Sequence, residues 1–176
     1  MPSILLLVAM TGIGPFTQQM LIPSLPALAL AMSVPYGTIQ LTLTLFLAGV
    51  AVGQLFYGPL SDRYGRKPLL LIGLWLYLAS SLAAVLAPSA TWLILARIGQ
   101  ALGACAGLVL GRAMIRDSYS REQSATVLGY VSAAMSVAPM LSPLLAAGLH
   151  EWFGWRVSLL TCLVFGLPLL LAVQWK

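Results

Sequence analysis

Long apolar runs fill this chain, separated by short polar breaks at positions 33–37, 61–67, 87–91, 112–122 and 150–156. A helix that crosses a bilayer needs roughly 20 predominantly apolar residues. Five breaks therefore predict six membrane helices, over residues 4–32, 36–60, 68–86, 92–111, 123–149 and 157–175. The first run contains Pro15, Pro23 and Pro26, each of which removes a backbone donor, so this helix is expected to bend or end early. Such interruptions survive in lipid only where neighbouring helices or a cavity satisfy the freed carbonyls. The first helix should thus face other helices and not lipid alone.

Composition agrees with the pattern. Of 176 residues, 60% are apolar and 7% charged, against about 25% charged in soluble domains. Six spans leave no room for a soluble domain. The net charge of +5 does not point to nucleic acid, because the Lys and Arg residues sit in short clusters between apolar runs and not on one solvated face. Nothing from Met1 to Ser61 is charged, a stretch too long for a cleaved signal peptide, so the first segment is read as a retained helix. Cys105 and Cys162 fall inside apolar runs, where a free cysteine acts as a small hydrophobe.

Orientation follows from the basic residues, which are held on the cytoplasmic side in short loops. The ends of the second, fourth and sixth runs carry Arg63, Arg66, Lys67, Arg112, Arg116, Arg121 and Lys176, whereas the opposite loops carry only Arg156. Both termini are therefore expected in the cytoplasm. Six helices with both ends inside form the geometry of one half of a two-half secondary transporter, which can itself hold two inverted three-helix repeats. No inner repeat is visible in the residues.

The most specific segment is Gly58-Pro59-Leu60-Ser61-Asp62-Arg63-Tyr64-Gly65-Arg66-Lys67, read as a tight loop between the second and third helices. Gly58 is expected to allow close helix approach and Gly65 to take a positive backbone dihedral. Asp62 can meet a helix N-terminus or a cation. In the fourth run, Arg97 precedes Gln100, with uncharged residues on both sides. A charge there is costly and nearly always faces a bundle interior or wet cavity, unless it snorkels to the outer headgroups. Gly99, Gly103, Gly107 and Gly111 form a ridge that permits close backbone approach, and helix packing is its preferred reading. In the first run, Gln18 and Gln19 are adjacent amides that need partners, either a substrate or another helix. The fifth run carries Pro139, Ser142 and Pro143, with Ala134, Ala138, Ser142 and Ala146 on one ridge.

The pattern G-x-x-x-D-R-x-G-R-K between helices two and three resembles the signature of the major facilitator superfamily. The resemblance implies an all-α membrane protein, a six-helix bundle forming one half of that fold with 3+3 inverted repeats. In it Asp62 would engage a helix end of the C-terminal half, and Arg66 would bridge to Asp117 after helix four. Gly58, Asp62, Arg63, Gly65, Arg66, Lys67 and Asp117 would together form a cytoplasmic gating latch. Arg97-x-x-Gln100 is similar to the family's helix-four motif, although glycine follows only at Gly103. Pro139-x-x-Ser142-Pro143 is similar to the helix-five motif of its drug exporters, with alanine and serine in place of glycines. The ending Pro23-Ser24-Leu25-Pro26 and the stretch Ile115-Arg116-Asp117-Ser118-Tyr119 with Arg121-Glu122 resemble the bicyclomycin and chloramphenicol resistance branch of drug:proton antiporters.

That resemblance implies proton-coupled efflux of amphipathic small molecules across a bacterial inner membrane, with a substrate cavity formed by Gln18, Gln19, Met20, Arg97 and Gln100. Gln19 replaces the aspartate of many relatives, so this site of proton exchange is missing. The carboxylates Asp62, Asp117, Glu122 and Glu151 are expected in loops or at their edges. The alternatives are a sugar or metabolite porter of the same fold and a transport-inactive membrane subunit. The implied partners are a small-molecule substrate, the lipid bilayer, and a C-terminal six-helix half absent from this chain or a second copy of it. No cofactor is expected beyond a proton gradient. His150, beside Glu151 in an expected external loop, has no second His or Cys cluster for a zinc site. Gly12-Ile13-Gly14 lacks the third glycine of a dinucleotide fingerprint, and no nucleophile set assembles, so an enzyme is not expected.

Overall fold

The structure is a computed structural model that describes residues 3–175, and at positions 150, 151 and 153 only the backbone. Lys176 and the side chains of His150 and Glu151 therefore lie outside the described residues. The helices are α1 (Ile4–Met20), a 3₁₀ turn (Ile22–Ser24), α2 (Leu25–Ala31), α3 (Tyr36–Tyr64), α4 (Arg66–Val85), α5 (Ala90–Ser118), α6 (Arg121–Phe153) and α7 (Arg156–Gln174). Six spans are long and apolar enough to cross a membrane, the first made of α1, the turn and α2. Pro15 is accommodated within α1. The break comes after Met20, and Pro23 and Pro26 then open the 3₁₀ turn and α2, where a missing N–H costs least.

α3, α5 and α6 outlast the predicted spans. The segment read as a loop at 58–67 is helical on both sides of Gly65, which takes φ 90° and is the single residue between α3 and α4. The break expected at 112–122 shrinks to Tyr119 and Ser120, and the one at 150–156 to Gly154 and Trp155, so the backbone at His150 and Glu151 is helical. Asp62 and Asp117 lie in the last turns of α3 and α5, and Glu122 in the first turn of α6. A methyl on Gly58 would meet nothing within 4 Å, so the close approach expected there does not occur.

The first span packs on the fourth, fifth and sixth, while the fourth packs on the first, second and third. Exchanging first with fourth, second with fifth and third with sixth maps these pairings onto themselves. Spans so exchanged cross the membrane in opposite directions, which is an inverted three-helix repeat. The fourth and first spans are the most buried, and the second and fifth the least.

The glycine ridge of α5 explains that burial. Successive members are four residues, or about 400°, apart, so the ridge drifts by about 40° per step and meets two partners in turn. A methyl on Gly99 or Gly103 would collide with α4 at Ser80 Oγ and Tyr77 N, and one on Gly107 or Gly111 with α1 at Met10 O and Thr11 Cγ2. α5 is thereby wedged between α4 and α1.

Candidate functional site

Arg97 is wholly buried in α5. Its Nη1 donates to Gln100 Oε1 at 2.5 Å and to the Thr17 carbonyl at 3.4 Å. The guanidinium carbon lies 4.4 Å from the Phe46 ring centroid. From Gln100 the chain of bonds continues, with Nε2 donating to Ser81 Oγ at 2.8 Å and Ser81 Oγ donating to the Tyr77 carbonyl at 2.7 Å. The Tyr77 hydroxyl donates to the Cys162 carbonyl at 3.1 Å. Having spent its one proton, it must accept from Thr17 Oγ1, 2.7 Å away. Five of the six spans meet at this hub, α1, α3, α4, α5 and α7 each supplying a group.

The hub is electrostatically incomplete. Arg97 Nε and Nη2 have no partner, and neither has the buried Gln19 Oε1. Both ion pairs among the described residues belong to Arg66, so no described carboxylate neutralises Arg97. An unpaired buried ion costs several kcal/mol, while a cation over an aromatic face returns about 2 kcal/mol or more when desolvated.

These facts revise the expected cavity. Arg97, Gln100 and Met20 have no exposed surface and cannot touch a substrate in this conformation. Arg97 also does not snorkel to a headgroup. Gln18 lines a cleft of about 80 Å³ bounded by Gly14, Pro15, Phe46, Val50, Ala104 and neighbouring residues. Thr17, Phe46, Tyr77 and Ser81 were not singled out in the sequence, and they carry much of the hub.

A second cluster sits where three spans end. Arg66, the first residue of α4, pairs with Asp62 of α3 at 2.7 Å and with Asp117 of α5 at 3.1 Å, and it also donates to Ser61 Oγ. Gly65 makes this geometry: its positive φ turns the chain in one residue, so Asp62 and Arg66 face each other across the break. Arg63 and Lys67 are exposed and make no ion pair among the described residues. Arg63 lies over the Tyr64 ring at 5.4 Å.

The proline segment of α6 is continuous helix. Ser142 is buried and donates to the Ala138 carbonyl at 2.8 Å. Its ridge faces the bundle, and Met140, Leu141, Leu144 and Leu145 are exposed. Among the described residues no group of three or more His, Cys, Asp or Glu side chains could hold a metal ion.

Pseudo-symmetric three-helix units, a buried cation tying the spans together and a charged clasp where three span ends meet describe an all-α membrane bundle. Residues 7–176 match the family described as Major Facilitator Superfamily, and the chain belongs to that superfamily. It is similar to the chloramphenicol resistance protein of Pseudomonas aeruginosa, 37% identical over 99% of this chain and 42% of that protein. It is also similar to multidrug resistance protein D of Escherichia coli K12, 35% identical over 92% of this chain and 41% of that protein. The chain thus spans about two fifths of the length of these curated relatives. In fold it matches a bacterial homolog of the human lysosomal transporter Spinster in an inward-facing, unoccupied conformation, with TM-score 0.77 and 18% identity, covering 97% of this chain and 41% of that one.

Proposed function

We propose that this bundle is the latch-bearing part of a proton-driven exporter of drugs or other amphipathic small molecules in a bacterial inner membrane. It would rock against a second six-helix bundle, with the Arg66 cluster and both termini on the cytoplasmic side. The observation that supports this most is the clasp of Arg66 with Asp62 and Asp117 across three span ends. Its reading as part of a drug exporter rests on likeness to a protein named for chloramphenicol resistance.

Alternating access needs one membrane face to open and close around a fixed site. The two clasp pairs are partly exposed, and such pairs are worth about 0.2–1 kcal/mol. A contact of that strength can break and re-form in every cycle. The Arg97 hub is buried and joins five spans, so it would hold the bundle rigid while the clasp opens. Gln18 in its cleft is the substrate contact this bundle offers, with Gln19 beside it in sequence. The proton-titrating group would lie at the Asp62, Asp117 and Glu122 helix ends or in the second bundle.

The test is chloramphenicol accumulation in efflux-deficient bacteria expressing this chain together with the C-terminal bundle of the Pseudomonas relative. Accumulation should fall severalfold and be restored by a protonophore. Asp117→Asn should return accumulation to the empty-vector level while lowering bundle stability by less than about 1 kcal/mol. The swap of Arg66→Asp with Asp117→Arg should recover part of the export. Equal accumulation with and without the protein would overturn the proposal, and normal export by Asp117→Asn would remove the clasp from it.

A further inference from the structure

A second basic feature lies apart from the clasp, where α5 passes to α6 through Tyr119 and Ser120. The turn is fixed by a capping box: Ser120 Oγ accepts from the Gln123 N–H and Gln123 Oε1 accepts from the Ser120 N–H, each at 3.3 Å. Ser124 Oγ donates to the Tyr119 and Ile115 carbonyls at 3.2 and 3.4 Å. Beside this turn opens a cleft of about 400 Å³ lined by Arg116, Tyr119, Arg121, Ser124, Ala125 and Leu128.

Two properties of the cleft bear on what it could hold. Arg116 and Arg121 are exposed and form no ion pair among the described residues, where Asp62 and Asp117 both pair with Arg66. Glu122 is exposed and likewise unpaired among the described residues. The positive end of the α6 dipole adds to the field of the arginines. Ala125 and Leu128, one turn or more into the span, then continue the wall with apolar surface. Cationic groups at headgroup level above an apolar wall match a phosphate followed by an acyl chain, the chemistry of basic pockets between membrane helices.

We propose that the α5–α6 junction binds an anionic phospholipid, its phosphate between Arg116 and Arg121 and an acyl chain along Ala125 and Leu128. Arg63, Lys67 and Arg112 are exposed too but lie away from the Arg116–Arg121 cleft lining, so retention should depend on position and not on charge alone.

The test is native mass spectrometry of the full chain purified from bilayers containing equal phosphatidylglycerol and phosphatidylethanolamine. The wild type should keep phosphatidylglycerol preferentially. Arg116→Gln with Arg121→Gln should lower that retention on the order of tenfold, each surface cation contributing appreciably. Arg63→Gln with Lys67→Gln, which removes the same charge elsewhere, should leave it nearly unchanged. Ala125→Trp, which fills the groove and keeps the charge, should lower it severalfold. Equal retention of both lipids by the wild type, equal losses in the two charge-removal variants, or full retention by Ala125→Trp would each overturn the proposal.

Discussion

Gly103→Ala is expected to prevent the bundle from packing and to leave little monodisperse protein in mild detergent. The added methyl would lie 2.5 Å from Tyr77 N, 2.6 Å from Gly73 O and 2.7 Å from Tyr77 Cα. All three are backbone atoms, so no side-chain rotation relieves the clash. Ordinary carbon contacts are about 3.5–4.0 Å, and α4 must therefore retreat by roughly 1 Å. Overpacking costs about 1–3 kcal/mol where side chains can adjust, and a backbone wall places this case at or above the upper end. The retreat would also pull Tyr77 and Ser81 from the hub. Gly58→Ala serves as the comparison, since its methyl meets nothing within 4 Å and should leave size-exclusion profile and melting temperature as in the wild type. Equal melting of the two variants would refute the wedging of α5 against α4.

Arg97→Met should separate function from stability. Methionine roughly matches the buried volume without charge, and three effects then compete. The variant loses two hydrogen bonds to neutral acceptors, each worth roughly 1.5–3 kcal/mol when the donor is charged, and the contact with Phe46. It regains the several kcal/mol spent on burying an ion with no carboxylate partner. These are similar in size, so the melting temperature should move by only a few degrees, while transport should fall at least tenfold if the charge is kept for function, as intramembrane ions usually are. Thermal melting in detergent and drug accumulation in cells, read together, check this. A large loss of stability with proportionate loss of transport would make Arg97 a structural residue alone.

The six spans were legible because bilayer thickness fixes their length and hydrocarbon excludes charge. Their ends were not, for a physical reason visible at Asp62, Asp117 and Glu122. Polarity marks where a helix leaves hydrocarbon, and the helix itself continues into the headgroup layer until something such as Gly65 stops it. The hub was half legible. Arg97 and Gln100 announce themselves by their cost in an apolar run, but Thr17, Tyr77 and Ser81 are distant in sequence and chemically ordinary. Hydroxyls in spans commonly bond their own helix, as Thr11 does to Leu7 and Thr42 to Ile39, so nothing local says which of them reach across. The same distance concealed the true address of Arg97, which was expected at a cavity wall and lies behind Phe46.

The proposed function requires six crossings with the Arg66 clasp on the cytoplasmic face. Single cysteines at Ser33, Pro88 and Trp155 on one side, and at Lys67 and Ser120 on the other, probe this directly with a membrane-impermeant maleimide added to intact cells. Native Cys105 and Cys162 are buried and should give little background. Labelling at the first three positions, and at the last two only after the cells are permeabilised, is the expected result. Labelling of Lys67→Cys or Ser120→Cys in intact cells, or of all five positions alike, would contradict it.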